Sequence, residues 1–102
     1  MLLDDFNFVV VYKRDDGHFI KRGYDSLSYT LEQVNFMLQF SSTNFISAMV
    51  YDCSRYNLWC RYDEIKLLYV YTKLSTGEIT KRIAGKYDDH REILKWINLF
   101  QM

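Results

Sequence analysis

Two segments of this chain, sixty residues apart, have the sequence of a β-hairpin closed by a glycine-containing turn. The first extends from Phe6 to Tyr24 and turns at residues 15–18, Asp-Asp-Gly-His, whereas the second turns at residues 75–78, Ser-Thr-Gly-Glu. β-Branched and aromatic residues, which favour strands, dominate the arms. Aspartate followed by glycine favours a two-residue type I′ turn, because glycine accepts a positive φ. The sequence therefore predicts an antiparallel sheet.

A helical pattern follows each hairpin. The first helix is predicted at about 31–40, with Thr30 and Gln33 as a capping box and Ser28 as an alternative cap. The second helix is predicted at about 90–100, and Asp89 is its expected cap.

The segment between the two units adds at least one strand. Residues 45–52 are strand-like, and residues 58–62 form either a short strand or part of an irregular loop. We therefore expect a single α+β domain over residues 1–102, with an antiparallel sheet of five or six strands and two helices on one face. The expected order is ββα-β(β)-ββα.

The two hairpin-helix units align without a gap, which pairs residues 8–40 with residues 68–100. Seven aligned positions are identical, where ordinary residue frequencies give about two. The identical pairs are Val10 and Val70, Lys13 and Lys73, Gly17 and Gly77, Lys21 and Lys81, Arg22 and Arg82, Glu32 and Glu92, and Phe40 and Phe100. This pattern predicts an internal duplication, and the alternative is two similar units without a common origin.

The alternation of side chains predicts which residues share a face of the sheet. With two-residue turns, Phe19 joins Tyr12 on the face beneath the helices, and the second hairpin has a matching face. Tyr69 and Tyr71 then lie on the opposite face. That face is too apolar to be fully solvated, so we expect a partner or a second copy to cover it.

The composition indicates one domain with a complete hydrophobic core. The 102 residues are 49% hydrophobic and 18% aromatic, and 13 basic side chains balance 13 acidic ones. A neutral chain has no overall field to attract nucleic acid or an anionic membrane, and it associates readily with a partner. The longest apolar run, Phe8 to Tyr12, is too short to cross a bilayer, and the N-terminus does not resemble a signal peptide. We expect a cytoplasmic protein.

No group of residues has the spacing of a catalytic, cofactor or metal site. His18 and His90 belong to no zinc or protease motif, and Cys53 and Cys60 match no metal-binding pattern. Glycine-rich phosphate loops are absent from the sequence. We therefore expect a protein that binds rather than catalyses, with no cofactor and no metal.

The first predicted helix is apolar around most of its circumference and polar only along Glu32, Asn35 and Gln39. Such a helix is buried on more than one side, either by residues 45–63 of the same chain or by a partner. Aromatic residues dominate the energetics of protein interfaces. Our candidate contact residues, for each of which core packing is the alternative, are Trp59, Tyr69, Tyr71, Phe36 and Phe40.

The basic residues of the two hairpins suggest a second kind of surface. They recur at equivalent positions and are Lys13, Lys21, Arg22, Lys73, Lys81 and Arg82. Basic hairpins with nearby tyrosines could follow a phosphate backbone and stack on bases. The zero net charge weighs against this alternative, because nucleic-acid-binding modules usually have a basic excess.

In its length, its aromatic content and its lack of chemical motifs, the chain is similar to small inhibitor, immunity and anti-defence proteins of phages and bacterial competition systems. The similarity involves no specific motif. It implies a protein-binding role as an inhibitor or adaptor, with another protein or a second copy of the chain as partner. Nucleic-acid binding through the paired basic hairpins is the alternative function.

Overall fold

The structure is a computed structural model that describes residues 6–40, 44–54 and 66–85. Five strands form one sheet in the order β2-β1-β3-β4-β5, and every neighbouring pair is antiparallel. The elements are β1 (Phe8–Arg14), β2 (Phe19–Tyr24), α1 (Leu27–Gln39), β3 (Phe45–Asp52), β4 (Lys66–Lys73) and β5 (Ile79–Ile83).

The predicted α+β class and the five-stranded antiparallel sheet are confirmed. The described part of the chain contains one helix, α1, which packs on one face of the sheet. The predicted helix at 90–100 and the predicted short strand at 58–62, with its alternative of an irregular loop, lie outside the described residues. The duplication of a complete hairpin-helix unit therefore stays a prediction.

Both hairpins close through a three-residue loop, and the predicted two-residue type I′ turn is wrong. In the first hairpin, the Arg14 N–H donates to the His18 carbonyl oxygen at 2.8 Å, and the Gly17 N–H donates to the Arg14 carbonyl oxygen at 3.0 Å. Only Gly17 in this loop has a positive φ, of 88°, whereas a type I′ turn needs two such residues. Glycine thus occupies the left-handed position that follows a type I turn.

The second hairpin repeats this geometry at the position predicted by the sixty-residue offset. The Leu74 N–H donates to the Glu78 carbonyl oxygen at 2.8 Å, and Gly77 has a φ of 90°. Lys73 pairs with Ile79, as Lys13 pairs with Phe19 in the first hairpin. The correspondence between the two hairpins therefore extends from sequence to strand register.

The longer loop changes the strand register by one residue, which moves side chains to the other face of the sheet. Tyr12 pairs with Ile20, and both pack on the α1 side. Phe19 packs on the opposite side with Val9 and Val11. The expectation that Phe19 shares a face with Tyr12 is therefore wrong.

The two hairpins are alike in geometry but present equivalent residues to opposite faces. β1 and β4 are both antiparallel to β3 and lie on either side of it, so they run in the same direction. β2 follows β1 on one side of β3, and β5 follows β4 on the other side. One hairpin is therefore rotated by half a turn about the strand axis relative to the other, which exchanges the faces of its side chains. Val10 accordingly packs on the α1 side, whereas its equivalent Val70 packs on the other side. Tyr69 and Tyr71 pack on the α1 side, so their predicted face is also wrong.

α1 begins four residues earlier than predicted, because Ser26 is its cap. Ser26 has an extended backbone, and its hydroxyl oxygen accepts a hydrogen bond from the Tyr29 N–H at 3.3 Å. Thr30 is buried within the helix, where its hydroxyl donates to the Ser26 carbonyl oxygen at 2.6 Å. The predicted caps, Thr30 and Ser28, are therefore wrong.

The centre of the sheet is buried on both faces, as expected of central strands. On the α1 side the buried residues are Val10, Tyr12, Val34, Leu38, Phe45, Ala48, Val50 and Tyr71. On the opposite side they are Val9, Val11, Tyr51, Cys53 and Leu67. Each fully buried valine or leucine stabilises the fold by about 1.5–3 kcal/mol relative to its exposed state.

Among the described helices, none is long and apolar enough to cross a membrane.

Candidate functional site

α1 has two apolar sides, and only one of them faces the sheet. Thr30, Val34 and Leu38 are buried against the sheet. Tyr29, Phe36 and Phe40 remain 52%, 51% and 48% exposed. Residues separated by seven and four positions lie along one line of a helix, so Tyr29, Phe36 and the C-cap residue Phe40 lie on the same side of α1.

Gln33 lies on the same line and completes a heptad pattern. The positions 29, 33, 36 and 40 are separated by four, three and four residues, which is the spacing of the contact positions in a coiled coil. We call these four residues the aromatic seam. An ordinary surface helix has an apolar stripe only towards its own core. A second stripe with this spacing is suited to packing against another helix.

Contacts with neighbouring aromatic rings position the seam. The rings of Phe36 and Phe40 lie 4.6 Å apart between centroids, at an interplanar angle of 49°. At the other end of the helix, Tyr29 packs edge-on against Tyr24 with a centroid distance of 5.9 Å. The Tyr24 hydroxyl lies 3.3 Å from that of the buried Tyr12. Positioned rings lose little conformational entropy when a partner covers them.

The seam is electrically neutral. Glu32 is the one charged residue of α1, and it lies on the polar arc with Asn35 and Gln39. The first turn of the helix carries no acidic residue, and the last turn carries no basic residue. A partner of the seam therefore needs apolar complementarity rather than opposite charge.

The other predicted contact residues do not join this surface. Tyr71 is only 1% exposed and belongs to the core beneath α1. Tyr69 is half-buried, and the Lys81 Nζ lies 4.3 Å from the centroid of its ring. Trp59 lies outside the described residues. Of the five candidates, the structure brings Phe36 and Phe40 together at the surface.

Tyr29 is a seam residue that the sequence reasoning missed. Tyr29 lies seven residues before Phe36, and this spacing places two residues on the same line of a helix. The spacing could therefore have predicted that Tyr29 lies beside Phe36 on the surface of α1. The signal was lost because the helix was predicted to begin near residue 31, and the structure extends it to Leu27.

The predicted basic residues are divided equally between the two faces of the sheet. Their registers place three of them on the α1 side, Arg22, Lys73 and Lys81, and three on the opposite side, Lys13, Lys21 and Arg82. Lys21 is half-buried, and burial lowers the pKa of its ammonium group. The arrangement does not assemble one basic surface.

Burial and local hydrogen bonds explain the shifted pKa values of Cys53 and Asp16. Burial raises the pKa of the Cys53 thiol to about 12, so the thiol stays protonated at neutral pH. In the first hairpin loop, the His18 N–H donates to Asp16 Oδ1 at 3.0 Å and lowers the pKa of that carboxyl group. No cluster of histidine, cysteine and carboxylate side chains with the composition of a metal site occurs in residues 6–40, 44–54 and 66–85.

Comparisons with known proteins give no assignment for the chain. No protein-family model, curated protein or solved structure matches it. A fold by itself does not determine a function, which resides in particular surface sites. The candidate site is therefore defined by the seam residues of α1 and of its C-cap, Phe40.

Proposed function

We propose that this chain is a protein-binding domain, an inhibitor or adaptor, that binds its partner through the aromatic seam. One observation carries the proposal: three large aromatic side chains are half-exposed along one line of a helix whose other side fills the core. Scattered exposed apolar residues are common on protein surfaces, but an aligned aromatic group is typical of an interaction site. An immunity-type or anti-defence role is one use of such a site.

The exposed area of the rings is sufficient to make them important for affinity. An aromatic side chain buries about 150–250 Å², so a half-exposed ring offers roughly 100 Å² to a partner. At about 25 cal/mol per Å², covering one ring contributes roughly 2.5 kcal/mol before the entropy cost of association. This is the magnitude expected of an interface hot spot.

The described chemistry supports binding rather than catalysis as the role of the chain. The Cys53 thiol is buried and protonated, and the His18 side chain lies against Asp16 in a hairpin loop. Neither group adjoins the aromatic seam in the sequence or in the described contacts.

The proposal is tested by capture of a partner from the native host on the immobilised full-length chain. The captured protein is identified, purified and titrated calorimetrically against the wild type and against the Phe36→Ser/Phe40→Ser double variant. We expect the double variant to bind at least about tenfold more weakly, because two hot-spot rings are lost. Binding by the wild type should change little between low and moderate salt, because the seam is neutral.

Gln39→Ser is the matched control, since it changes a residue of similar position on the polar arc. Its affinity should equal that of the wild type, and circular dichroism should show the same fold for all three proteins. A partner that binds the double variant as tightly as the wild type contradicts the proposed site. A captured nucleic acid whose affinity falls steeply with salt favours the basic hairpins instead.

A further inference from the structure

We propose that the partner of the aromatic seam is the same seam on a second copy of this chain, so that two α1 helices pack together in a weak homodimer. The inference rests on the proposed function and names the partner of that site. The spacing of the seam, its charge and its area support this partner.

The spacing of the seam favours a helix as the partner. Tyr29, Phe36 and Phe40 continue a four-three-four pattern with Gln33, and side chains with this spacing interlock with those of a helix that has the same spacing. The eleven steps from residue 29 to residue 40 cover about 16 Å of helix axis. α1 is itself a helix with the required pattern, so two copies meet the requirement on both sides of a two-fold axis.

An antiparallel pairing of the two helices matches unlike side chains. The symmetry places Tyr29 against the partner's Phe40, and Gln33 against the partner's Phe36. It also places the N-terminal end of each helix dipole beside the C-terminal end of the other, which is favourable. The arrangement therefore uses all four seam residues of each copy.

The charges allow self-association. The chain has a net charge of zero, so two copies do not repel each other at long range. Glu32 is the one charged residue of α1, and the polar residues nearest to it on the same arc, Asn35 and Gln39, are uncharged amides. A partner recognised by opposite charge does not suit this surface.

The area of the seam predicts a weak dimer. Three half-exposed rings offer roughly 300 Å² per copy, or about 600 Å² for both copies. Stable interfaces bury about 1,200–2,000 Å² in total, and smaller ones are transient. Gln33 weakens the contact further, because a polar residue at a seam position reduces stability while it specifies the alignment. The dimer should therefore form at high protein concentration.

Sedimentation velocity of the full-length chain, from about 10 μM to about 1 mM, tests the homodimer over the range expected for a transient interface. The weight-average sedimentation coefficient of the wild type should rise towards that of a dimer. The Phe36→Ser/Phe40→Ser variant should keep the monomer value throughout, and Gln39→Ser should follow the wild type.

Gln33→Leu should strengthen dimerisation through the seam, and a folding defect would not produce that increase in affinity. It replaces the one polar residue of the seam by the residue preferred in coiled coils, once in each copy, and should lower the dissociation constant by roughly tenfold or more. A wild type that stays monomeric at 1 mM, or a Gln33→Leu variant that associates no better than the wild type, overturns the homodimer.

The two proposals fail separately. A chain that remains monomeric but binds another protein through Phe36 and Phe40 overturns the homodimer and leaves the proposed function in place. A chain that remains monomeric and whose binding to other proteins is unaffected by the double substitution overturns both.

Discussion

Tyr12 and Tyr71 lie in the same buried layer beneath α1, but their hydroxyl groups have different surroundings. The Tyr12 hydroxyl lies 3.3 Å from that of Tyr24. The Tyr71 hydroxyl is enclosed without a hydrogen-bond partner among the described residues. A buried hydroxyl without a partner destabilises the folded state, whereas a paired one is close to neutral or stabilising. The two tyrosines are therefore expected to respond oppositely to loss of their hydroxyl groups.

At Tyr71, substitution by phenylalanine should leave the free energy of unfolding unchanged or raise it by about 1 kcal/mol, because an unsatisfied buried group is removed. Tyr12→Phe should lower it by about 1 kcal/mol, because the Tyr24 hydroxyl loses its partner. Urea unfolding of the two variants and the wild type measures both effects. A larger loss for Tyr71→Phe than for Tyr12→Phe would show that the Tyr71 hydroxyl has a partner.

At the scale of elements, α1 depends on a single side chain for its start. The first N–H groups of a helix have no partner within the helix, and a capping oxygen satisfies one of them. Ser26 provides that oxygen to Tyr29, whereas Ser28 is exposed within the first turn. Tyr29 is also the first residue of the aromatic seam, so the cap holds one end of the proposed interface.

Ser26→Ala should lower the free energy of unfolding by about 1 kcal/mol, the usual loss for a capping residue. Ser28→Ala is the matched control and should be neutral or slightly stabilising, because alanine is the better helix former. Thermal or urea unfolding of both variants tests the assignment. Equal stabilities of the two variants would mean that Ser26 does not act as the cap.

At the scale of the whole molecule, both buried layers contain ionisable groups that the fold keeps protonated. Burial is the main cause that raises the pKa of Tyr12 and Tyr71 on the α1 side, and of Tyr51 and Cys53 on the opposite side. In the unfolded chain these groups ionise near their ordinary values of 9.0 for cysteine and 10.0 for tyrosine. A group whose pKa is raised by folding stabilises the fold at low pH and loses that contribution as the pH rises.

The free energy of unfolding should therefore be constant up to about pH 9 and fall steeply above it. Tyr12, Tyr51 and Cys53 each contribute a slope of up to about 1.4 kcal/mol per pH unit, and Tyr71 adds to it, so the total slope reaches at least roughly 4 kcal/mol per unit by about pH 11. Urea unfolding from pH 8 to pH 11 measures this slope. Tyr12→Phe should reduce it by about 1.4 kcal/mol per pH unit, and an unchanged slope would show that Tyr12 ionises in the folded protein.

The elements themselves could be predicted from local sequence, whereas details within them could not. The strands and the glycine loops follow from residue preferences that act between neighbours in the chain. The loop type was mispredicted because Asp-Gly also fits a type I turn followed by a left-handed glycine, and that choice changes the strand register by one residue. The helix start was mispredicted because Ser26, Ser28 and Thr30 are all residues of capping type.

The candidate site was predicted in part. The wide apolar arc of the first helix is visible in the sequence, and Phe36 and Phe40 were selected from it. Tyr71 was also selected, but it is buried, because its face depends on the pairing of β4 with β3. A period of two separates the faces of a strand, but it does not identify the face that receives a helix.

The sequence by itself determined two similar hairpins and a helix that is apolar around most of its circumference, because these properties depend on residues close together in the chain. The tertiary structure alone decided that β3 separates the hairpins, so that equivalent residues such as Val10 and Val70 lie on opposite faces. Pairing between distant segments sets that arrangement, and it is not encoded in local periodicity. The same long-range pairing buries one side of α1 and leaves Tyr29, Phe36 and Phe40 exposed on the other.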